Sequence, residues 1–583
     1  MESFEIRDQF YLNGEPFKII SGSIHYFRVV PEYWRDRLEK LKAMGCNTVE
    51  TYVAWNMHEP EKGRFNFEGM LDLSRFLRTA QELGLYAIVR PSPYICAEWE
   101  FGGLPAWLLA ESNMHVRSRE GRFLSYVASY FEKLFDVLVP LQVNCGGPII
   151  LMQLENEYGA WGDDKGYLEE LRKLMEINGL TVPLVTSDGP WRDDLACGSL
   201  PGVLPTVNFG SKAKTQLPFL KKHLKNGPVM CMEFWAGWFD YWGCEKHNKR
   251  DPEEIAQDLD EILSQGSVNI YMFHGGTSFG FLNGANDYDR LTPDVSSYDY
   301  DAPLTEDGQI TPKYTAMQNV ISKYVSVPHV PLTTRIKRRG YGALPLKDAV
   351  SLFAVLEDIG KPVESLRPIP MEMLSQSYGY VLYRSNIDTG TLIEKFRLTQ
   401  TGDRASVFLD QRRFLTLFDR ELTIEHAVEW PHAKGASLDI LVENLGRVNF
   451  GVMMCRQAKG IAGGVVVNSH MHSGWLQYSL PLSSEEISKL DFSKEYREEL
   501  PAFYRFEFDV AEKGDTFLDM TGWGKGCAFL NGFNLGRFWD IGPQRRLYIP
   551  APLLKLGMNE IVIFETEGKP GNTIALCDTP DLG

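Results

Sequence analysis

Short apolar runs alternate with longer amphipathic stretches through the first 326 residues of the chain. Apolar runs bounded by turn residues are typical of strands buried on both faces, and the amphipathic stretches between them are typical of helices. The pattern predicts eight strands, at 17–23, 48–53, 86–89, 148–154, 183–186, 206–209, 228–232 and 269–273, and a closing helix at 312–324. Eight successive strand–helix units predict an α/β fold, a (β/α)₈ barrel over residues 1–326.

The pattern changes after residue 326. Residues 327–372 are irregular and basic and contain several prolines, which predicts a linker. Beyond it, short β-branched and aromatic runs separated by turns replace the helical stretches, as in β-sandwich and jelly-roll domains. We therefore predict one all-β domain at 373–488 and a second, jelly-roll-like domain at 489–583. Both domains are expected to pack on the barrel.

Polar residues stand where several of the predicted barrel strands end. Tyr52 lies at the end of the second strand and Glu98 follows the third. Asn156 and Glu157 follow the fourth strand, and Glu233 ends the seventh. Barrel enzymes build their active sites at this rim. The alternative, an open doubly wound sheet, would need a glycine-rich phosphate turn after the first strand, and the Ser-Gly-Ser sequence at 21–23 is not such a turn.

Two of the rim residues are glutamates that follow fully apolar runs. Glu157 follows the run at 149–152, and Glu233 follows the run at 229–232 and precedes an aromatic-rich stretch at 234–242. In a closed ring of eight strands, the fourth and seventh strands face each other across the mouth, so both carboxylates can reach one bond. Hydrolysis of a glycosidic bond needs such a pair. An exposed loop acid is the alternative for Glu157, and packing in a loop core is the alternative for each aromatic residue.

Composition excludes several classes of protein. The chain carries 60 basic and 77 acidic residues, a net charge of −17, which disfavours nucleic acid and anionic membranes as partners. Its nine cysteines are scattered, include no C-x-x-C pair and are expected to be reduced and buried. The N-terminus has no basic head or apolar segment, and no apolar run approaches the length of a membrane span, so a cytoplasmic location is expected.

Longer motifs resemble family 35 of the glycoside hydrolases, the acid β-galactosidases and their bacterial relatives. In the predicted barrel they lie at 51–56, 58–60, 90–99, 146–148, 153–159, 233–235, 275–277 and 297–304. In the last domain they lie at 524–526 and 531–539. Each motif alone is a weak signal, whereas their combination covers nearly the whole chain and is specific.

The resemblance implies a retaining exo-β-galactosidase that needs no metal or organic cofactor. Glu157 would act as acid and base, and Glu233 as the nucleophile. The resemblance implies that the terminal galactose is bound by the following residues: Tyr52, Ile95, Cys96, Ala97, Glu98, Asn156 and Tyr300. Trp235 and Trp238 would flank the site and the leaving group. Glu157 must start protonated, so its pKa should lie above the ordinary value of about 4.3, while Glu233 must start ionised.

The resemblance also implies a substrate class. Bacterial members of this size without a signal sequence resemble β-1,3-galactosidases that act on galactose linked to N-acetylhexosamine, often as homodimers. Two positions depart from the family pattern: Ser92 stands where relatives often carry glycine, and Ser278 where many carry asparagine. The alternatives are a carbohydrate-binding protein on a non-catalytic barrel and a retaining β-glycosidase or transglycosidase that prefers another sugar.

Overall fold

The computed structural model describes residues 2–224, 226–332, 336–387, 392–430 and 435–583. Eight parallel strands form a closed barrel in chain order, and the last pairs with the first through Val268 and Ile20. The strands are β1 (Ile20–Ile24), β2 (Thr48–Tyr52), β3 (Tyr86–Arg90), β4 (Ile149–Gln153), β5 (Leu184–Asp188), β6 (Leu204–Phe209), β7 (Met230–Trp235) and β8 (Ser267–His274). The predicted (β/α)₈ barrel is confirmed.

Helices follow the strands along the chain. They are α1 (Trp34–Ala43), α2 (Leu73–Glu82), α3 (Gly121–Leu138), α4 (Lys165–Ile177), α5 (Asp194–Gly198), α6 (Ala213–His223), α7 (Pro252–Gln265) and α8 (Pro312–Ile321). Helix α2 shows why these segments are helical. Its buried residues recur at the spacing of one helix face, and the Asp72 side chain accepts a hydrogen bond from the Arg75 backbone N–H over 2.8 Å at its start.

Two β-sandwiches follow the barrel. The first consists of a six-stranded and a four-stranded sheet that share a buried apolar core. Its strands are Pro362–Ser365, Tyr380–Ile387, Ile393–Gly402, Arg404–Leu409, Arg412–Phe418, His426–Trp430, Ala436–Glu443, Gly460–Val467, His470–Met471 and Trp475–Leu480. The second consists of a five-stranded and a four-stranded sheet. Its strands are Gly342–Pro345, Asp348–Ser351, Ala502–Val510, Thr516–Asp519, Lys525–Leu530, Phe533–Trp539, Arg546–Ile549, Gly557–Glu565 and Thr573–Cys577.

The segment 327–372, for which the sequence predicts a linker, is not irregular throughout. Its strands Gly342–Pro345 and Asp348–Ser351 pair with Thr573–Cys577 and Ala502–Val510 of the second sandwich. A helix at Leu352–Ile359 follows directly. Each of these strands has only four residues and lies at the edge of its sheet, so hydrophobic alternation is too short to reveal it. The first sandwich is therefore inserted between two segments of the second.

The first sandwich packs on the barrel rim through a buried arginine. The Arg447 guanidinium forms ion pairs with Glu100 of the barrel and with Glu372, and all three side chains are almost completely buried. Beside it, the Tyr94 hydroxyl donates a hydrogen bond to the Asn449 carbonyl over 2.6 Å. These contacts fix the loop that carries Phe450 against the mouth of the barrel.

The nine cysteines form no disulfide bond. Three of them, Cys46, Cys231 and Cys527, are buried, whereas Cys145 and Cys455 are exposed. The prediction of burial is wrong for these last two because both lie in short 3₁₀ turns at the surface rather than in apolar strands. None of the described helices combines the length and apolar character needed to cross a membrane.

Candidate active site

A cavity of about 310 Å³ opens at the carboxyl ends of the barrel strands. It is lined by all but one of the residues that the sequence predicted for the site, namely Tyr52, Cys96, Ala97, Glu98, Asn156, Glu157, Glu233, Trp235, Trp238 and Tyr300. Ile95 is the exception. Its side chain is fully buried, and its backbone N–H donates to the Gly102 carbonyl over 2.8 Å. Ile95 therefore supports the turn that precedes Cys96 and does not face the cavity.

Glu157 lies just beyond the end of β4, and the neighbouring strands hold it in place. Its backbone N–H donates to the Ser187 carbonyl over 3.0 Å, and its Oε1 accepts a hydrogen bond from Asn208 Nδ2 over 3.0 Å. Removal from water and the nearby Glu233 carboxylate raise the pKa of Glu157 to about 8, while the Asn208 hydrogen bond acts in the opposite direction. Glu157 is thus suited to hold a proton at neutral pH.

Glu155, the first glutamate of the same motif, has a different environment. Its carboxylate forms a two-pronged ion pair with Arg117, with N–O distances of 2.9 and 2.8 Å, and both side chains are buried. The Tyr167 hydroxyl donates to the same carboxylate over 3.2 Å. Because Glu155 is fully engaged and does not line the cavity, Glu157 is the glutamate of this motif that can meet a ligand.

Glu233 lies within β7 and accepts hydrogen bonds on both carboxylate oxygens. Oε1 receives the Tyr52 hydroxyl at 2.8 Å and Arg90 Nη2 at 2.6 Å. Oε2 receives the Trp235 indole N–H at 3.0 Å. An ionised carboxylate accepts hydrogen bonds and donates none, so this arrangement fits the charged form. Glu157 and Glu233 therefore line one cavity in contrasting surroundings.

Arg90 forms the floor beneath Glu233 and was not among the predicted site residues. It is fully buried at the end of β3, lies 4.0 Å from the centre of the Tyr52 ring and also donates to Asn156 Oδ1 over 2.6 Å. The Asn156 amide is thereby oriented, and its Nδ2 has no hydrogen-bond partner among the described residues. Asn156 lines the cavity, although Nδ2 itself is buried. The sequence signal that could have identified Arg90 is its position as a charged residue directly after the apolar run at 86–89.

An unusual backbone turn carries three of the lining residues. Cys96, Ala97 and Glu98 have φ angles of +57°, +57° and +47°, in the left-handed region that few non-glycine residues adopt. Arg28 Nη2 holds the turn by donating to the Ala97 carbonyl over 2.6 Å. Burial raises the pKa of Glu98 to about 7, although a hydrogen bond from Tyr298 favours the ionised form. The turn thus presents a carboxyl group and backbone atoms to the cavity.

Tyr300 is held from two sides. A Cβ atom added to Gly237 would lie 1.8 Å from the Tyr300 carbonyl oxygen, so only glycine permits this approach. On the other side, His247 lies between two buried carboxylates. Its Nδ1 is hydrogen-bonded to Asp240 Oδ2, and its Nε2 lies 3.5 Å from Asp299 Oδ1. The segment that carries Trp238 and the segment that carries Tyr300 are therefore tied together.

Six further residues line the cavity that were not among the predicted site residues: Trp191, Phe239, Tyr271, Asn286, Tyr288 and Phe450. Tyr271 lies on β8 and Asn286 on the short strand Ala285–Asp287, whereas Phe450 belongs to the first sandwich and the other three lie in loops of the barrel. Phe239 lies in the aromatic-rich stretch at 234–242 and Tyr271 in the predicted strand at 269–273, but nothing in their spacing distinguishes a cavity wall from ordinary packing. Within the described ranges, no group of three or more His, Cys, Asp and Glu side chains is placed to hold a metal ion.

Hydrolysis of a glycosidic bond requires two carboxyl groups that can occupy opposite protonation states on one cavity, and the barrel rim meets this requirement. By its fold and its site the chain is a glycoside hydrolase. Comparison with known families agrees with this class. The family model "Glycosyl hydrolases family 35" matches residues 9–324, and the chain belongs to this family. The predicted resemblance is confirmed.

The β-sandwich regions also match known models. Residues 368–481 match "Beta-galactosidase, first all-beta domain", and residues 501–559 match "Beta-galactosidase, galactose-binding domain". The chain is 41% identical to human "Beta-galactosidase-1-like protein 2" over 98% of its own length and 91% of that protein. It is 42% identical to "Beta-galactosidase" of Xanthomonas manihotis over 93% of its own length and 90% of that protein. It is 38% identical to "Beta-galactosidase 17" of Arabidopsis thaliana over 96% of its own length and 86% of that protein.

Proposed function

We propose that the chain is a retaining exo-β-galactosidase that releases terminal β-linked galactose by double displacement. The observation that carries the proposal is the contrast between Glu157, with its raised pKa, and Glu233, which is ion-paired with Arg90 on the same cavity. The names of the three relatives and of the matching sandwich domains support galactose as the sugar released.

In the first step, a Glu233 oxygen attacks the anomeric carbon and forms an ester with the galactosyl group. The bond from that carbon to the leaving oxygen breaks, and the leaving oxygen takes the proton of Glu157. The hydrogen bonds from Arg90, Tyr52 and Trp235 hold the Glu233 carboxylate in position for this attack. The Asn208 amide fixes the orientation of the Glu157 carboxyl group.

In the second step, Glu157 acts as a base. Ester formation removes the negative charge of Glu233, and that charge is one of the causes of the raised pKa of Glu157. The pKa of Glu157 therefore falls in the intermediate, so the group stays ionised and can accept a proton from water. The water oxygen attacks the anomeric carbon and the ester bond breaks. Two inversions leave the configuration of the galactose unchanged.

Release of a terminal sugar is supported by the shape of the cavity. Buried side chains form its inner wall, among them Tyr52, Asn156 and Tyr300. The more exposed Trp238 and Tyr288, with exposed fractions of 41% and 74%, stand at its mouth. A chain end can enter such a pocket with one sugar inside the wall and the rest outside, whereas an internal sugar of a polymer cannot.

The preferred linkage is proposed to be β-1,3 to an N-acetylhexosamine, on the basis of the sequence resemblance. Rates on β-1,3-, β-1,4- and β-1,6-linked galactosyl disaccharides test it directly. Preference for the β-1,4 or β-1,6 linkage would contradict it. We further propose a homodimer, tested by light scattering of the eluted protein, and a cytoplasmic location, tested by fractionation of the source cells.

The reaction class is tested by Glu233→Gln together with the stereochemistry of the product. We expect the variant to lose at least about 10⁴-fold in kcat while its circular dichroism stays unchanged. Proton NMR of the wild-type reaction should show β-galactose first. Early α-galactose would contradict retention, and a faster rate on β-glucosides would contradict the sugar assignment. Binding of galactosides without any product would favour a carbohydrate-binding protein instead.

A further inference from the structure

A second cavity of about 290 Å³ adjoins the catalytic one and shares Trp191, Trp235 and Trp238 with it. We refer to it as the side cavity. Its remaining wall comes from residues 209–211, from Gln216 on α6, from Gly237 and from Arg250. The two cavities therefore meet at the three shared tryptophans. A ligand that leaves the catalytic cavity past these residues enters the side cavity.

The side cavity lies on the side of the proton donor. Asn208, which hydrogen-bonds Glu157, is followed directly in the chain by Phe209, Gly210 and Ser211, all of which line the side cavity. Glu157 protonates the leaving oxygen, so the leaving group must pass on this side of the site. The direction of departure and the position of the side cavity therefore coincide.

The lining has the chemistry of a sugar site. Trp191 and Trp238 are 42% and 41% exposed, with their indole N–H groups free of partners in the part of the chain that the structure describes. Their rings are held by Trp235, whose ring centre lies 5.9 Å from that of Trp191 and 5.5 Å from that of Trp238. The half-buried Gln216 amide likewise makes no hydrogen bond within the described residues. Flat indole faces fit sugar C–H faces, while indole N–H and amide groups fit hydroxyls.

We propose that the side cavity is a second leaving-group subsite, which binds the sugar ring next beyond the one bonded to galactose. The preferred substrates are then galactosyl oligosaccharides of three or more sugars rather than disaccharides. This inference rests on the proposed galactosidase function. Gln216 is its specificity-determining residue because it lines the side cavity and not the catalytic cavity.

The test compares three substrates: an aryl β-galactoside, the galactosyl disaccharide that the enzyme cleaves best, and the same disaccharide extended at its reducing end by one β-linked hexose. For the wild type we expect kcat/KM on the trisaccharide to exceed that on the disaccharide by about fivefold, the factor that one hydrogen bond supplies. Gln216→Ala should abolish this gain while leaving the aryl galactoside and the disaccharide within twofold. Lys214→Ala, an exposed neighbour on α6, is the matched control and should keep the gain.

Equal wild-type rates on the disaccharide and the trisaccharide would overturn the second subsite and leave the galactosidase function intact. A loss on the disaccharide as large as that on the trisaccharide in Gln216→Ala would also overturn it, since the side cavity would then hold the first leaving sugar. No hydrolysis of any of the three substrates would overturn the proposed function and the subsite together. A retained gain in Gln216→Ala would remove Gln216 from the subsite and overturn its assigned role.

Discussion

Asn208 donates a hydrogen bond from Nδ2 to Oε1 of Glu157 over 3.0 Å. The amide is oriented for this role because the Ser187 hydroxyl donates to Asn208 Oδ1 over 2.5 Å. A donor to a carboxylate stabilises the ionised form and therefore lowers the pKa, against the burial and the Glu233 charge that raise it. Asn208 thus limits how firmly Glu157 keeps its proton, which the proposed first step requires it to give to the leaving oxygen.

The first prediction concerns the pH dependence that follows. The pKa of Glu157 is about 8, so kcat/KM should fall as the pH rises through this value and the acid loses its proton. Asn208→Ala removes the hydrogen bond that favours ionisation and should move this fall upward by roughly 0.7 pH units, which corresponds to about 1 kcal/mol. Profiles on an unactivated disaccharide measure the effect. A downward displacement in the variant would contradict the assignment of Asn208.

The second prediction separates the two roles of Glu157. Glu157→Gln cannot protonate a leaving oxygen and should lose about 10²- to 10⁴-fold on a disaccharide. An aryl galactoside with an acidic leaving group needs no such help in the first step, so its galactosyl ester should still form. Azide, which needs no base, should then accelerate turnover and yield the β-galactosyl azide. Glu233→Gln is the matched control and should show no azide rescue; an α-azide from Glu157→Gln would contradict the retaining mechanism.

The third prediction concerns His247, which ties the segments that carry Trp238 and Tyr300. Burial alone would lower the pKa of His247, but hydrogen bonds and charges from Asp240 and Asp299 raise it to about 10. A histidine with a raised folded-state pKa contributes its full stability below its unfolded value of about 6.5 and loses it as the pH rises through about 10. His247→Asn should therefore lower the urea midpoint most at pH 6, and the difference from wild type should shrink between pH 6.5 and 10.

The measurement is urea unfolding of both proteins at several pH values, followed by tryptophan fluorescence. Groups other than His247 titrate in both proteins, so the difference between them isolates the imidazolium. A difference that does not change with pH would show that His247 acts through shape alone and not through charge.

The fourth prediction concerns Ser92, which lies two residues beyond the end of β3. Its φ of +67° lies in the left-handed region, and its buried hydroxyl has no partner within the described residues. Both features are unfavourable, so Ser92→Gly should raise the free energy of unfolding by about 1 kcal/mol. Ser92→Ala removes only the hydroxyl and should give a smaller gain. Destabilisation by Ser92→Gly relative to wild type would refute this account.

The barrel and its two glutamates were predictable because each depends on a local pattern. The run at 149–152 and the run at 229–232 are apolar over their whole length, which marks buried parallel strands, and each leads to a carboxylate at the rim. The closed strand order then brings both ends to one cavity without further information. The sequence therefore predicts that Glu157 and Glu233 meet at one rim, and both line the cavity there.

The remaining features depend on contacts between distant segments. The left-handed turn at 96–98 contains no glycine to signal it and is held by Arg28, which is about 70 residues away in the chain. Phe450 reaches the cavity only because Arg447 fixes the first sandwich to the barrel. The edge strands within 327–372 have partners more than 150 residues away. No short-range periodicity records such pairings.

The insertion of the first sandwich into the second has a consequence for synthesis on the ribosome. Strand Gly342–Pro345 pairs with Thr573–Cys577, which lies more than 220 residues later in the chain. Until residues 573–577 have been synthesised, the nascent protein carries a finished barrel and an unpaired sheet edge, the kind of surface that recruits chaperones or aggregates. Removal of the strand Thr573–Cys577 should therefore reduce the yield of folded protein although it leaves Glu157 and Glu233 in place.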